Sequence, residues 1–283
     1  MNPKRTGVLF IVLAAILWSS GGIGIKAVTE GPLAVAFYRS LFAAVTLLLL
    51  FRREVLSFRF SISFVAAVVS YAACLLTFVT ATKWTTAANA IFLQYAGVVW
   101  VLLLSPIVLK EPMRRRDVIA VSAAFAGMAL FFVGRFEPRG MAGNAMALLS
   151  SVFFATLILA LRREPHASRA AVTWGNLLLA ITLAPFVLSE GLPDERPLFV
   201  LALLGIFQIG FAYAAFVKGL QYVTATEASL IGMIEPVANP VWVLIFLGEQ
   251  PSAFAIGGAV IVLIAVAWHT LQGEPAAEMP PPD

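Results

Sequence analysis

Two ionisable residues, Arg39 and Glu235, interrupt stretches of the sequence that are otherwise uncharged and apolar enough to cross a membrane. An unpaired cation at mid-membrane costs about 3 kcal/mol on insertion scales, so Arg39 should face protein or water rather than lipid. Two interpretations stay open for each residue. Arg39 either binds a substrate carboxylate or reaches helix carbonyls and the interface, and Glu235 either carries a proton during turnover or satisfies backbone groups freed by neighbouring prolines.

The depths of the two charges in the membrane allow them to meet. Arg39 lies about seven residues, or roughly 10 Å, inside the outer end of its stretch, and Glu235 lies about nine residues, or roughly 13 Å, inside the inner end of its own. Across about 30 Å of hydrocarbon these depths differ by roughly 6 Å. An ion pair between Arg39 and Glu235 is therefore sterically possible.

Pro236 and Pro240 follow Glu235 closely. Each lacks a backbone N–H and crowds the preceding helical turn, so the helix should kink or break near the midplane. Lipid cannot satisfy the carbonyls that are freed there, and such backbone is tolerated only beside protein or a watery cavity. The stretch therefore predicts a cavity wall to which Glu235 and Asn239 contribute polar groups.

Polar and aromatic residues at depth in other stretches extend this predicted cavity. A polar group in hydrocarbon must find a partner, and several together indicate a polar lining, although interhelical hydrogen bonding explains any single one equally well. Deep tryptophans can stack on an aromatic ring or attract an ammonium group. The further candidate binding residues are Tyr38, Tyr71, Gln94, Tyr95, Asn176, Gln208 and Tyr213, with Trp18, Trp100 and Trp242 as the deep tryptophans. Together with Arg39 for a carboxylate, they favour an aromatic or large neutral amino acid as ligand.

The composition requires that these residues be carried on membrane-spanning helices. Of the 283 residues 61% are hydrophobic and only 12% are charged, against about 25% charged in soluble domains. About 20 apolar residues cross the hydrocarbon as a helix, and the sequence supplies ten stretches near this length. They are Thr6–Ile25, 32–51, Phe60–Thr82, Trp84–Leu109, Val118–Gly134, Gly140–Leu161, Ala170–Ser189, Pro197–Val217, 226–248 and Gln250–Gln272. We predict an all-α integral membrane protein with ten transmembrane helices.

The basic residues that flank the spans predict the orientation. Of the 19 Lys and Arg residues, thirteen fall on the side of the amino terminus and five on the opposite side, and the side with more of them normally faces the cytoplasm. Both termini should therefore be cytoplasmic. The basic run Met113–Arg116 is assigned to this orientation signal rather than to nucleic-acid binding.

Two segments of the chain resemble each other at an offset of 138 residues. Residues 85–112 align with residues 223–251, which places Asn89 on Glu227 and Glu111 on Glu249. Because each copy has an odd number of helices, the second copy enters the membrane from the other side, as in many secondary transporters. We predict two inverted five-helix repeats, 1–134 and 140–272, around a central cavity, and a disordered cytoplasmic tail, 273–283.

These motifs together resemble the drug/metabolite transporter superfamily, and within it the EamA-type carriers of bacterial inner membranes. The resemblance covers nearly the whole chain, from LAAILWSSGGIGIK with Trp18, through FYRSLFAA with Arg39, to IEPV with Glu235. It implies ten helices, cytoplasmic termini, and export or exchange of amino acids, metabolites or drugs. Some exporters of the family handle aromatic amino acids, but the resemblance does not fix the cargo.

Other functional classes find less support in the sequence. An enzyme needs converging nucleophiles, acid–base pairs or metal ligands, and the spans hold one deep carboxylate without an HExxH motif or a His/Cys cluster. No GxxxxGK[ST] motif for ATP is present. We therefore expect a monomeric carrier that works by alternating access without cofactor or metal, with a small-molecule substrate and membrane lipids as partners. A channel-like facilitator, or an exporter of other metabolites or drugs, is the alternative.

We expect a structural rather than a functional role for Thr224 and Glu227, because their S/T-x-x-E spacing is typical of a helix capping box.

Overall fold

The computed structural model describes residues 2–56, 60–131, 140–248, 250 and 252–272. Every regular element in these ranges is helical. The helices are α1 Pro3–Trp18, α2 Gly21–Ala27, α3 Pro32–Leu50, α4 Ile62–Trp84, α5 Ala87–Gln94, α6 Ala96–Val108, α7 Arg115–Phe131, α8 Met141–Arg163, α9 Ser168–Val187, α10 Glu195–Leu203, α11 Ala212–Gly219, α12 Ala225–Gly232, α13 Ile234–Leu247 and α14 Ala253–Gln272. Short 3-10 turns, Pro165–Ala167 and Leu188–Glu190, flank α9, and a π-helical segment, Leu204–Phe211, joins α10 to α11.

Nine helical stretches of the described chain are long and apolar enough to cross a membrane. Four of them combine two helices: α1 with α2, α5 with α6, α10 with α11, and α12 with α13. The remaining helix, α7, has 17 residues, which at 1.5 Å per residue is about 25 Å and slightly less than the hydrocarbon thickness. It coincides with the predicted span Val118–Gly134 as far as Phe131. The all-helical membrane architecture is confirmed, and the count of ten spans stays a prediction.

Some sequence predictions fall outside the described residues. These concern the tail 273–283, Glu249, which aligns with Glu111, and three of the basic residues counted for the orientation, Arg59, Arg135 and Arg139.

Helices from the two halves of the chain pack against each other. Helix α4 packs along α8 and α9, α1 along α11 and α12, α3 along α9 and the π-helical segment, and α7 along α14. The offset of 138 residues places α1 on α8, α3 on α9, α4 on the segment from α10 to α11, and α7 on α14. The packing of α4 on α8 thus corresponds to that of α11 on α1, and the contacts in the two halves follow one plan.

The span that carries Glu235 is interrupted, as its prolines predict. The interruption lies at Met233, between α12 and α13, three residues before Pro236, while Pro240 lies inside α13. A second interruption lies at Tyr95, between α5 and α6, 138 residues earlier in the chain. No proline adjoins Tyr95, so this interruption has no proline signal.

The helices that precede the two interruptions begin with the same cap. The side chain of Thr86 accepts a hydrogen bond from the backbone N–H of Asn89 at 3.0 Å, and that of Thr224 accepts one from Glu227 at 3.1 Å. The cap predicted at Thr224 is therefore confirmed. The Glu227 carboxylate makes a salt bridge of 3.2 Å with Lys4 instead of completing the box, and so links α12 to α1.

Candidate functional site

The Arg39 side chain on α3 is buried, with 2% of the residue exposed. Its Nη2 donates a hydrogen bond of 2.6 Å to Oε1 of Gln208, which lies in the π-helical segment. The Gln208 Nε2 donates in turn to the Trp18 carbonyl at 3.4 Å. The Arg39 Nε has no acceptor in the described part of the chain. A neutral amide therefore holds the guanidinium and leaves one of its N–H groups available for a ligand.

The ion pair that depth allowed between Arg39 and Glu235 is absent from the described part of the chain. Arg39 bonds Gln208, and the Tyr95 hydroxyl oxygen lies 2.8 Å from Glu235 Oε2. Depth along a helix axis can be counted from sequence, whereas the lateral positions of two helices cannot. The two buried ionisable side chains thus have separate, uncharged partners.

Glycines and the π-helical segment position Gln208 against Arg39. A π-helix is wider than an α-helix and is frequent at functional sites. A Cβ atom on Gly205 would lie 2.6 Å from the Arg39 carbonyl oxygen, and one on Gly21 would lie 2.6 Å from Gln208 Nε2. Glycine at position 205 therefore lets the backbones of α3 and the π-helical segment approach this closely, and glycine at position 21 leaves room for the Gln208 amide beside α2.

Substituting Gly21 by Ala should destabilise this arrangement. The new methyl group would occupy space that the Gln208 amide fills, so the amide must turn away from Arg39 and Trp18. Overpacking of this kind typically costs about 1–3 kcal/mol, and we expect a lower Tm for the purified protein in detergent. Gly257→Ala is the matched control, because a Cβ there meets no atom within 4 Å. Equal Tm values for the two variants would contradict the role given to Gly21.

A continuous series of aromatic rings, here called the aromatic chain, runs through the centre of the protein. Its members are Tyr71, Tyr213, Trp18, Phe154 and Tyr95, in that order. Successive ring centroids lie 4.6, 5.1, 6.4 and 6.2 Å apart, with the rings tilted or edge-on. These are favourable geometries for aromatic pairs. The rings come from α4, α11, α1, α8 and the junction of α5 with α6, so both halves of the chain contribute.

Several buried polar atoms beside the aromatic chain have no hydrogen-bond partner among the residues that the structure describes. They include the donors Trp18 Nε1 and Arg39 Nε and the acceptor Asn176 Oδ1. The buried hydroxyl of Tyr38, whose ring contacts Phe37, likewise has none in the described chain. Asn176 uses its Nδ2 to reach the Tyr71 hydroxyl at 2.9 Å. A buried polar group without a partner costs free energy, so these atoms call for a ligand or water.

Gln94 belongs to a second polar cluster, between α4, α5 and α8. Its Nε2 donates to Ser150 Oγ at 2.8 Å and contacts Cys74 Sγ at 3.6 Å. Cys74 is close enough to Tyr71 and Glu235 for electrostatic interaction, so this cluster adjoins the aromatic chain. The Gln94 Nε2 is therefore hydrogen-bonded within the protein, and it links α5 to α4 and α8 in this conformation.

The structure does not bring Trp100 to the aromatic chain. Trp100 is 43% exposed on α6 and shares its exposed stripe with Leu103, Leu104 and Ile107, a spacing that marks one face of a helix. An apolar exposed stripe on a membrane span faces lipid. Hydropathy does not separate lipid-facing from buried tryptophans, which explains why the sequence placed Trp100 in the site.

Trp242 and Asn239 on α13 lie at the edge of the site and are partly buried. Trp242 Nε1 donates to Ser19 Oγ at 2.7 Å, which joins α13 to the junction of α1 with α2. The Asn239 Nδ2 has no protein acceptor, and a Cβ on Gly22 would lie 2.9 Å from it.

Sequence reasoning missed three residues that the structure places in or beside the site: Phe154, Ser150 and Cys74. Phe154 is one of 22 phenylalanines, and nothing in its local sequence distinguishes it. Ser150 and Cys74 are small residues that are common in helix interfaces.

Comparison with known proteins finds transporters and a solved structure of the same fold. The model of the EamA-like transporter family matches residues 5–133 and 141–271. An uncharacterized transporter from Archaeoglobus fulgidus is 24% identical over 270 residues, which cover 94% of this chain and 97% of the relative. The uncharacterized transporter YwfM from Bacillus subtilis is 28% identical over 274 residues, which cover 91% of each protein. A solved crystal structure shares the fold, with a TM-score of 0.82 at 17% identity over 94% of this chain and 97% of that chain.

Proposed function

Because the chain belongs to the EamA-like transporter family and is a multi-pass membrane transporter, we propose that it is a secondary carrier of amino acids. The cargo is aromatic or large and neutral. The carrier exports or exchanges it by alternating access across a bacterial inner membrane, with both termini in the cytoplasm.

The observation that carries this proposal is the bonding of Arg39. Burying a guanidinium is costly unless it is paired and fully hydrogen-bonded. Among the residues that the structure describes, Arg39 has only the neutral Gln208 as its hydrogen-bond partner, and its Nε is left without one. The protein thus leaves a buried cation incompletely satisfied, which is the state expected of a residue that receives a carboxylate from a ligand.

The groups around Arg39 match the other parts of an amino acid. The Trp18 Nε1 is a second donor for a carboxylate, and Asn176 Oδ1 is an acceptor for an ammonium group. The rings of Tyr71 and Tyr213 lie against each other beside Asn176 and offer faces on which an aromatic side chain packs. A zwitterion with an apolar side chain satisfies these groups better than a metabolite with several charges.

Ion pairs between the two halves support alternating access. At the end of the molecule where α1 begins and α14 ends, here called the terminus-bearing end, acidic and basic side chains of residues before 134 pair with those of residues after 140. At the opposite end, Lys26 and Lys83 instead donate to the carbonyls of Thr85 and Val28, within the first half. The ion pairs across the halves are Lys4 with Glu227, Glu111 with Arg162, and Glu54 with Arg169, and Asp117 forms a hydrogen bond of 2.7 Å with His269 across them. They hold the terminus-bearing end closed. Alternating access requires that the two ends of the molecule close in turn.

Three observations support a pair of inverted five-helix repeats, 1–134 and 140–272. The family model matches one segment in each half, and the interruptions at Tyr95 and Met233 stand 138 residues apart, like their caps at Thr86 and Thr224. Helix α1 begins beside the start of α12 and the end of α14, whereas α8 begins beside Trp84 and Thr85, at the end of α4. The equivalent helices α1 and α8 thus start at opposite ends of the molecule.

Counterflow in proteoliposomes tests the proposal. Vesicles are loaded with one unlabelled amino acid and diluted into label, with pH and membrane potential clamped. We expect transient accumulation of labelled tryptophan or phenylalanine when Trp, Phe or Tyr is inside, because a carrier exchanges its own substrates without an ion gradient. Protein-free vesicles are the control.

The other outcomes identify the alternatives. Label that equilibrates without accumulating indicates a channel-like facilitator. Counterflow with other metabolites or cationic drugs, but with no amino acid, would overturn the assignment of substrate class.

A further inference from the structure

The interruption between α12 and α13 leaves one backbone carbonyl without its helical donor. In an α-helix the N–H of each residue bonds the carbonyl four residues earlier. Pro236 has no N–H, so the carbonyl of Gly232 loses its partner. The Tyr95 hydroxyl, from the other half of the chain, lies 2.6 Å from this carbonyl oxygen and takes the place of the missing donor.

The same hydroxyl also contacts Glu235. The Tyr95 oxygen lies 2.8 Å from Glu235 Oε2, and both side chains are buried, with 1% and 7% of each residue exposed. A phenol has a single hydrogen to donate, and a carbonyl oxygen can only accept. If Tyr95 donates to Gly232, the hydrogen between Tyr95 and Glu235 must come from the glutamic acid. Both short contacts are satisfied together only when Glu235 is protonated.

We propose that Glu235 is a proton-binding site of the transport cycle and that the Tyr95 hydroxyl couples its protonation to the interruption at Gly232. This inference rests on the proposed function, since it names the co-substrate of the same carrier. When a proton from water binds, an O–H bond forms at Glu235 and donates to Tyr95, which donates to Gly232. When the proton returns to water, that O–H bond breaks, the Tyr95 hydroxyl turns to the carboxylate, and the Gly232 carbonyl loses its donor.

The consequence of proton release falls on the backbone. Gly232 ends α12, and Ile234 begins α13. Loss of the hydrogen bond to Gly232 frees the junction between these helices to change its angle. Since α12 packs against α1 and α6, a change of angle there moves helices that carry the ion pairs between the halves.

No other ionised group neutralises Glu235 among the residues that the structure describes. The titratable groups near enough for electrostatic interaction are uncharged near neutral pH, namely Tyr95, Cys74 and Tyr213. Most charged side chains on the elements packed against α12 and α13 are engaged elsewhere: Lys4 with Glu227, Lys26 with the Thr85 carbonyl, Arg116 with the Gln272 carbonyl, Asp117 with His269, and Arg162 with Glu111. The others, Arg5, Arg115 and Arg163, are exposed. Arg39 is bonded to Gln208.

Infrared difference spectroscopy of the purified wild-type protein and Glu235→Gln tests the proton directly. The wild type should show the C=O stretch of a neutral carboxylic acid at neutral pH, and the variant should lack it. Tyr95→Phe should retain the band but shift it, because the acid loses its hydroxyl partner. A spectrum with a carboxylate band in its place overturns the proposal, whatever the protein transports.

Proton movement during tryptophan exchange tests the coupling. Proteoliposomes containing a trapped pH-sensitive dye should report a pH change when a tryptophan gradient is imposed on the wild type. Glu235→Gln should abolish the pH change per tryptophan moved, and Glu190→Gln, an exposed carboxylate outside the site, should behave as the wild type. Counterflow without any wild-type pH change would overturn the coupling and leave the carrier assignment standing. Absence of wild-type counterflow would instead overturn the proposed substrate, and the infrared result would still decide the proton site.

Discussion

Replacing Arg39 by Gln should abolish amino acid binding without destabilising the protein. Arg39 offers a substrate carboxylate the only cation that the described structure places beside the aromatic chain, and its Nε is unused by the protein. Truncating one partner of a buried charge pair costs about 2–5 kcal/mol of binding, which raises the dissociation constant at least about 30-fold. The measurement is the KM of tryptophan counterflow, or direct binding to the detergent-solubilised protein.

The stability of the same variant separates a binding role from a structural one. In the unliganded protein Arg39 pays the cost of burial with only one hydrogen bond to a neutral group. Removing such a charge is often neutral or stabilising, so Arg39→Gln should have an unchanged or higher Tm. A lower Tm together with unchanged tryptophan affinity would assign Arg39 to the fold and remove the main support for the substrate class. Arg115→Gln, at an exposed position, is the control.

Much of the membrane architecture could be predicted because it depends on one-dimensional properties. The apolar stretches, their length and the proline signal at Pro236 all follow from the low cost of burying helices in lipid and the missing N–H of proline. The offset of 138 between Thr86 and Thr224 likewise appears in the sequence and recurs as two identical caps.

The pairing of side chains could not be predicted, because it depends on lateral positions. Arg39 and Glu235 lie at similar depths, yet the structure gives each a different partner. The π-helical segment that presents Gln208 has no known signal in its composition. The interruption at Tyr95 has no proline, and its function as the donor to Gly232 depends on a residue 137 positions away.

The exposure of aromatic residues was the least predictable feature. Trp18 and Trp100 stand in equally apolar runs, but Trp18 is buried in the aromatic chain, while Trp100 lies on an exposed stripe. In a membrane protein both faces of a helix are apolar, so the pattern that locates the core in soluble helices is weak.

Replacing Glu111 by Gln should open the terminus-bearing end of the molecule. Glu111 accepts from Arg162 Nε at 2.8 Å with one oxygen and from the backbone N–H of Ala225, at the start of α12, with the other at 2.9 Å. One carboxylate therefore joins the end of α6 in the first half to α8 and α12 in the second. Arg162 is buried, and breaking a buried ion pair by removing one partner costs about 3–5 kcal/mol.

That cost applies to the closed state in which the pair exists, so the equilibrium should shift toward a state that is open at this end. A shift of about 3 kcal/mol changes the ratio of two states on the order of 100-fold. The single, buried Cys74 reports the change, because opening exposes the cluster in which it lies to water. We expect faster labelling of Cys74 in Glu111→Gln by a membrane-impermeant maleimide that is applied from the side of the termini.

The double variant Glu111→Gln/Arg162→Gln distinguishes loss of the pair from loss of either side chain. Removing both charges leaves no uncompensated cation in the closed state, so labelling of Cys74 should return toward the wild-type rate. Glu195→Gln, exposed near the opposite end of the molecule, should label as the wild type does. If Glu111→Gln labels no faster than Glu195→Gln, the ion pairs between the halves do not hold this end closed. The paired helix interruptions would then be the remaining structural support for alternating access.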